Sequence, residues 1–326
     1  MTAATCLVVM YHYVRDTEAT AFPAVRALPP AVFEQQLDWL QREYHLVGAD
    51  ALDAAVNGGA TLPPGAALLT FDDGFVDHYA AVLPVLRRRG LSGLFFLTYD
   101  ACAPSPRVLG VHKTHFLLAR LGAEAFRAAV LRECEGALQA ASGSGPAPVF
   151  GLDRWEHADE RAIKDLLNYE LPFEQSERVL DALFAHHIGP QEAFAKDLYL
   201  REPMIAEMAR AGMVFGYHTR SHRMLSRLAP VEQAGELRDG VAWIQGLTGQ
   251  DRVSFCYPWG GPGTYTRDSL DLLGQAGYSV AFNTVRRRVE VGRDGRFELP
   301  RLDARDLPPY TTGEPAEAPA LASEEA

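Results

Sequence analysis

Two adjacent carboxylates, Asp72 and Asp73, follow an apolar run from Ala66 to Phe71 and precede Gly74. The run predicts a buried strand that ends in acid, because Gly74 permits a tight turn. Neighbouring carboxylates repel each other, so a cation that binds one of them keeps the pair ionised and leaves the other free as a base. An ordinary Asp-Asp-Gly turn has the same pattern, and the motif alone does not decide between the two interpretations.

Two histidines, His218 and His222, lie four residues apart after a second apolar run. This spacing predicts that both imidazoles lie on one side of a helical turn, as in many metal sites, although without context it more often belongs to structural histidines. Asp73 and the two histidines would make a three-ligand set that leaves one position for water, which is the layout of a hydrolytic metal site. One divalent ion is expected, with zinc favoured over cobalt, nickel or manganese.

The elements that must position these residues alternate between strands and helices at both ends of the chain. Apolar runs predict strands at 6–10, 66–71, 93–98, 213–217, 253–257, 279–283 and 299–302, separated by helical patterns such as the one at 230–247. Such alternation builds a parallel sheet, and ligands bind beyond the carboxyl ends of its strands. We therefore expect the acids and the histidines to meet at one edge of an α/β fold with six or seven strands.

The alternation fails between residues 103 and 200, where the pattern predicts a helical insertion folded onto the core as a lid. Helices are predicted at 114–138, 159–167 and 176–184, with a break at 142–148. Two insertion residues, His112 and Lys113, are predicted to line a substrate cleft together with His115, with a solvated helix face as the alternative. We predict one domain over residues 1–307 and a disordered acidic tail at 308–326.

Composition excludes several classes of protein. The 326 residues are 48% apolar and 22% charged, as in ordinary globular chains, and a net charge of -11 argues against binding nucleic acid. Apolar runs are too short to cross a bilayer and no secretion signal is evident, so a cytoplasmic location without membrane contact is predicted. Four cysteines without CxxC spacing predict free thiols. The oligomeric state is not predicted.

Three short motifs together resemble the polysaccharide deacetylase family, also called NodB-homology or carbohydrate esterase family 4. They are TFDDG at 70–74, HTRSH at 218–222 and YPWG at 257–260, and the resemblance covers about residues 7–306. It implies a distorted (β/α)7 TIM-like barrel. It also implies metal-dependent removal of an acetyl group from an amide nitrogen.

The resemblance also implies roles for individual residues. Asp72 corresponds to the catalytic base, and Asp73 binds the metal with His218 and His222. The aromatic residue of the third motif, Trp259, would form a groove wall and offer its backbone N–H to an oxyanion. The predicted substrate-binding residues are Tyr257, Trp259, His112 and Lys113.

Two departures from the family pattern affect catalysis. The family has an Arg where this chain has Cys256, and Arg301 could orient the base from another direction, with a surface ion pair as the alternative. The late Leu-x-His motif that supplies the general acid is missing, because His222 is the last histidine. His12, after the first strand, is the candidate acid, and a structural histidine is the alternative.

These features predict a metal-dependent amide hydrolase acting on a small amino-sugar, a sugar nucleotide or a glycosylated metabolite, since a large lid suits an enclosed substrate. Loss of the family's Arg and late His keeps open a ureide or cyclic-imide hydrolase of the same fold. An inactive carbohydrate-binding member is a third possibility, but a binding site would not need Asp72.

Overall fold

The computed structural model describes residues 4–18, 20–134 and 158–311. Within these residues nine strands form one sheet. They are β1 Thr5–Tyr11, β2 His45–Leu46, β3 Ala66–Phe71, β4 Leu94–Leu97, β5 Val214–Tyr217, β6 Ser254–Cys256, β7 Ala281–Phe282, β8 Val289–Glu290 and β9 Leu302–Asp303.

The main path of the sheet is parallel and curls on itself. Its order is β7-β6-β5-β4-β3-β1, with β8 antiparallel to β1 and with β2 and β9 added to β3 and β1. Just before β9, Leu299 bridges to Phe282 of β7, and then Leu302 and Asp303 pair with β1. The last segment therefore links the two ends of the path, and the predicted TIM-like α/β barrel is confirmed.

Helices cover the sheet and fill the connections between its strands. The α-helices among the described residues are α1 Pro30–Glu43, α2 Ala49–Gly58, α3 Leu83–Arg89, α4 Tyr99–Cys102, α5 Gly110–Leu121, α6 Ala123–Glu133, α7 Ala158–Asp165, α8 Phe173–His187, α9 Gln191–Leu198, α10 Glu202–Arg210, α11 Pro230–Leu237, α12 Gly240–Thr248 and α13 Arg267–Gln275. Two π-helical segments, His78–Val82 and Leu166–Glu170, precede α3 and follow α7.

Side chains of the central strands alternate between two cores, as the two-residue period of a strand requires. In β1, Leu7 and Val9 pack in the core shared with the outer helices, whereas Cys6 and Val8 pack on the other face, inside the curl. The same alternation runs through β3 and β4. Because His12 and Asp72 continue the inner series of their strands, they emerge at the mouth of the barrel.

The insertion at 103–200 contains α5 to α9 and has a small core of its own, with Leu117, Phe126 and Leu180 among its members. It is anchored beside the acidic turn. The backbone of Leu200 donates to the carbonyl of Gly74 at 2.8 Å, and Val76 donates to Leu198 at 2.8 Å. The last turn of the insertion thus packs directly against the loop that carries the two acids.

Two long predicted helices are each divided in two. The single helix predicted at 114–138 is divided, because Gly122 adopts a φ of 75° and separates α5 from α6, and residues 135–138 lie outside the described residues. Similarly, the helix predicted at 230–247 is interrupted at Asp239, whose φ of 63° separates α11 from α12. The predicted break at 142–148 and most of the predicted tail lie outside the described residues.

Two further findings concern the sequence predictions on membranes and cysteines. No helix in the described part of the chain combines the length and the apolarity that a bilayer-spanning segment needs. All four cysteines are buried free thiols.

Candidate metal and catalytic site

The two adjacent acids point to different neighbours because the chain turns between them. The N–H of Asp72 donates to the carbonyl of Tyr11 at 2.9 Å, which extends the pairing of β3 with β1 by one residue. The backbone then enters the left-handed region, with φ 73° at Asp73 and 65° at Gly74. This conformation costs a residue with a side chain roughly 1–2 kcal/mol and is held at functional sites by the surrounding structure.

His218 and His222 lie in a loop after β5, so the helical turn predicted from their spacing is wrong. His218 donates its N–H to Leu97, and left-handed residues follow at Thr219, φ 64°, and at His222, φ 63°. The hydroxyl of Thr219 accepts the N–H of His222 at 2.9 Å and closes the loop. This turn brings the two ring centroids to 4.9 Å.

The imidazoles converge on one oxygen of Asp73. The Nε2 atoms of His218 and His222 lie 3.5 and 3.4 Å from Asp73 Oδ1, yet this buried oxygen has no hydrogen-bond partner among the described residues. His218 Nδ1 lies 2.7 Å from the carbonyl of Cys256 and must donate to it, so Nε2 carries a lone pair. A lone pair facing a carboxylate oxygen is repulsive unless a cation lies between them.

The protonation states of these ligands also suit a cation. Burial, with a smaller contribution from His222, lowers the pKa of His218 to about 4, so the imidazole is neutral near pH 7. Burial by itself would raise the pKa of Asp73, but His112 and His222 hold it well below its ordinary value. Neutral imidazole and ionised carboxylate are the forms that bind metal. The donor set of two nitrogens and one oxygen therefore fits a divalent cation such as zinc.

A second set of possible ligands, Asp72, His218 and Cys256, is a poor cation site. The Arg301 guanidinium lies 2.9 Å from Cys256 Sγ and is hydrogen-bonded to both oxygens of Asp72. Burial raises the pKa of Cys256 well above its ordinary value, so the sulfur stays protonated. A cation there would meet a guanidinium and a neutral thiol.

Arg301 and Asp72 form a buried bidentate ion pair. Nη1 and Nη2 donate to separate carboxylate oxygens, each at 2.8 Å, and Nε donates to the carbonyl of Asn283. Arg301 is only 1% exposed, so the surface ion pair considered from the sequence is wrong. Burial alone would raise the pKa of Asp72, but the charge and hydrogen bonds of Arg301 hold it below its ordinary value. The guanidinium packs directly against the thiol of Cys256, with Nη2 2.9 Å from Sγ.

His12 lies at the outer edge of the site. Its Nε2 is 3.9 Å from Asp72 Oδ2, too far for a hydrogen bond, and its side chain is 41% exposed. The backbone carbonyl of His12 accepts the Nε2–H of buried His78 at 3.0 Å, which holds the loop after β1.

The two third-motif residues have different surroundings. Tyr257 is buried, donates its hydroxyl to the carbonyl of Phe297 at 3.0 Å and stacks on Tyr265, so the substrate contact predicted for it has no support in this geometry. Trp259 is half-buried, has a left-handed φ of 67°, and places its ring 5.9 Å from that of His222. Its backbone N–H has no acceptor among the described residues.

The solvated-face interpretation of the insertion's histidine-lysine pair is wrong, because His112 and Lys113 are fully buried. Lys113 forms ion pairs with Glu177 and Asp181 at 3.0 and 2.6 Å. Its ammonium group is therefore bound within the insertion, and this geometry does not support the predicted contact with substrate. His112 instead reaches the site, with Nε2 3.1 Å from Asp73 Oδ2.

One site residue, Tyr199, was not found from the sequence. Its hydroxyl lies 2.6 Å from Nδ1 of His112, 87 positions away. An isolated Tyr after the amphipathic helix α9 gives no local signal of such a contact.

The resemblance to polysaccharide deacetylases is confirmed. Residues 171–281 match the family model described as Polysaccharide deacetylase, a stretch that contains the second and third motifs. The first motif, outside that stretch, is joined to the second in space by the contacts of Asp73. The class defined by this fold and this match is therefore the polysaccharide-deacetylase-like barrel. A comparison with curated proteins gives no match.

Solved structures share the fold over nearly the whole chain. A Streptococcus pyogenes deacetylase, PplD, solved in complex with acetate, is 16% identical with a TM-score of 0.56, and 93% of each chain is covered. IcaB from Ammonifex degensii is 19% identical, with a TM-score of 0.55 and 92% of each chain covered. BC0361, a polysaccharide deacetylase from Bacillus cereus, is 14% identical, with a TM-score of 0.54 and 92% of this chain and 65% of that chain covered. At these identities the likeness shows a common fold.

Proposed function

We propose that the chain is a metal-dependent deacetylase that hydrolyses the N-acetyl group of a carbohydrate. The observation that carries the proposal is the buried, unpartnered Oδ1 of Asp73 facing two imidazole nitrogens, beside a second carboxylate clamped by an arginine. The family match and the shared fold support the same class of reaction.

A divalent cation bound by Asp73, His218 and His222 would supply a Lewis acid that polarises the acyl carbonyl and acidifies water. Asp72 takes the proton of the attacking water, and its low pKa keeps it ionised and ready to accept. Arg301 orients both carboxylate oxygens. The N–H of Trp259, which has no acceptor in the part of the chain that the structure describes, is the proposed donor to the oxyanion.

The leaving nitrogen must gain a proton when the C–N bond breaks, and His12 is the proposed donor. His112 is committed to Asp73, and burial lowers the pKa of His115 well below its ordinary value, so neither holds a transferable proton near pH 7. His12 borders Asp72 and reaches solvent.

The finer part of the proposal is that the substrate is small: an amino-sugar, a sugar nucleotide or a glycosylated metabolite. In support, the side chains of Asp72 and Asp73 are 2% and 6% exposed, and the insertion is hydrogen-bonded directly to the acidic turn. A deep carboxylate pair beneath a packed insertion favours a compact acyl donor over the interior of a long polymer.

The rival ureide or cyclic-imide activity rested on the loss of the family's Arg and of its late His. Arg301 takes the orienting role of the Arg from another position in the chain, and the late His has no counterpart in the sequence. The inactive binding alternative does not account for a base oriented by two hydrogen bonds. No observation favours either rival over deacetylation.

The test is acetate release by the zinc-loaded protein from N-acetylglucosamine, its uridine-diphosphate derivative and N-acetylglucosamine oligomers of increasing length. Acetate and free amine should appear in equal amounts, with the highest kcat/KM on the monomeric compounds. Faster hydrolysis of longer oligomers would overturn the small-substrate part alone. Turnover of ureides or imides without any acetate release would overturn deacetylation.

A further inference from the structure

One buried hydrogen bond joins the insertion to the carboxylate that faces the two histidines. His112, in the first turn of α5, places Nε2 3.1 Å from Oδ2 of Asp73. The ring is 0% exposed, so water does not compete for either nitrogen. The two oxygens of Asp73 therefore have different environments: Oδ2 is bound by His112, whereas Oδ1 has no hydrogen-bond partner among the described residues.

The proton on His112 can be placed by counting donors. The backbone N–H of Leu109 donates to the hydroxyl of Tyr199 at 3.1 Å. That hydroxyl has one proton of its own and lies 2.6 Å from His112 Nδ1, its only acceptor among the described residues. Nδ1 therefore accepts, and Nε2 carries the hydrogen that points to Asp73.

His112 and His218 are thus both neutral and both face Asp73, but the hydrogen is on Nε2 in His112 and on Nδ1 in His218. His218 donates through Nδ1 to a carbonyl and offers the Nε2 lone pair, whereas His112 offers an N–H. A protonated nitrogen cannot bind a metal. The distances point the same way, since the ligand atoms of Asp73, His218 and His222 all lie within 4.8 Å of one another and this group does not include His112.

We propose that His112 is a positioning residue for Asp73. Its Nε2–H holds Oδ2, and this keeps Oδ1 turned toward His218 and His222, where a divalent cation would bind. Tyr199 acts one step further out, because its hydroxyl sets the tautomer of His112. The inference rests on the cation site of the proposed function and does not depend on which bond is hydrolysed.

The proposal makes the insertion a working part of the site rather than a detachable cover. His112 comes from its first long helix, and Tyr199 from its last turn, where Tyr199 forms an antiparallel bridge with Phe75. Both ends of the insertion therefore meet at the acidic turn.

The experiment measures zinc affinity of the full chain by competition with a chromophoric chelator. His112→Leu should bind zinc about 10- to 100-fold more weakly, the usual effect of losing a hydrogen bond to a metal ligand. His112→Gln should recover most of the affinity, since its amide N–H reaches toward the same carboxylate oxygen. Tyr199→Phe should also weaken binding. His115→Leu, one turn along the same helix and without contact to Asp73, is the matched control and should bind as wild type.

Several results would overturn the proposal. Equal zinc affinity in wild type and His112→Leu would show that the N–H has no positioning role. The same conclusion would follow if His112→Leu and His112→Gln lost equal affinity while the melting temperature of the apo-protein was unchanged. Absence of zinc binding in wild type would instead remove the cation site itself.

A second measurement tests the tautomer directly in the wild-type protein. In 15N-histidine spectra, assigned with His112→Gln, His112 should show a protonated Nε2 both with and without zinc. An Nδ1–H tautomer, or a shift of Nε2 on adding zinc that indicates ligation, would contradict the proposal even if His112→Leu does not fold.

Discussion

Arg301 and Asp72 lie 229 residues apart in the chain and meet as a two-hydrogen-bond ion pair, with Nη1–Oδ1 and Nη2–Oδ2 distances of 2.8 Å. Neither side chain is more than 2% exposed. Because both charges are removed from water, each depends on the other, and this pair holds the carboxylate in one orientation at the mouth of the barrel.

Breaking this pair should be costly. Arg301→Met leaves the carboxylate of Asp72 buried and uncompensated, and we expect a loss of about 3–5 kcal/mol in the free energy of unfolding, measured in urea. Arg293→Met, which removes an exposed ion pair with Glu290, is the control and should change stability by less than about 1 kcal/mol. Similar losses in the two variants would show that the buried pair contributes little.

Replacing the base should separate catalysis from metal binding. Asp72→Asn keeps the shape of the side chain but cannot take a proton from water, so hydrolysis should fall about a hundredfold or more while zinc content is unchanged. Asp73→Asn should instead lose zinc, because it removes the carboxylate that binds the cation. If Asp72→Asn loses zinc and Asp73→Asn retains it, the two roles are exchanged.

The proton donor can be tested through the leaving group. His12→Ala should lower kcat with little change in zinc content, and the loss should shrink for substrates whose leaving group needs no protonation. The basic limb of the pH–rate profile should disappear together with the proton donor. An unchanged profile would move the role away from His12.

His78 gives a prediction for stability against pH. Burial lowers its pKa from 6.5 to about 4, so the unfolded chain binds a proton below pH 6.5 that the folded protein does not bind until about pH 4. Stability should therefore fall as the pH drops through this window, by about 3 kcal/mol in all, since one pKa unit corresponds to about 1.4 kcal/mol. His78→Gln keeps a donor for the carbonyl of His12 and should flatten this part of the curve. Identical slopes in urea titrations of the two proteins would contradict this assignment.

Most strands and helices of the fold could be predicted from local sequence patterns. The apolar run before Asp72 predicts β3 because strand residues buried on both faces must be apolar, and the acid at its end marks the edge of the sheet. The helices at 114–138 and 230–247 were joined wrongly because apolar spacing continues across Gly122 and Asp239, where only the backbone conformation changes.

The side-chain contacts around Asp72 and Asp73 were harder to predict from the sequence. The motif residues could be placed at one edge because parallel strands bring their carboxyl ends together. The contact between His112 of α5 and Asp73 could not be predicted. The two residues are 39 positions apart, and they meet only when the insertion packs against the acidic turn. The burial of Arg301 against Cys256 is likewise a contact between distant parts of the chain, which no spacing in the sequence reveals.

The cation site is the central claim, and metal content per chain measures it most directly. Elemental analysis of purified wild type, after zinc loading and removal of excess, should give about one zinc per chain. His218→Ala and His222→Ala should hold far less, while His115→Ala, which removes a neighbouring imidazole that is not hydrogen-bonded to Asp73, should match wild type. Equal zinc content in all four proteins would contradict the account.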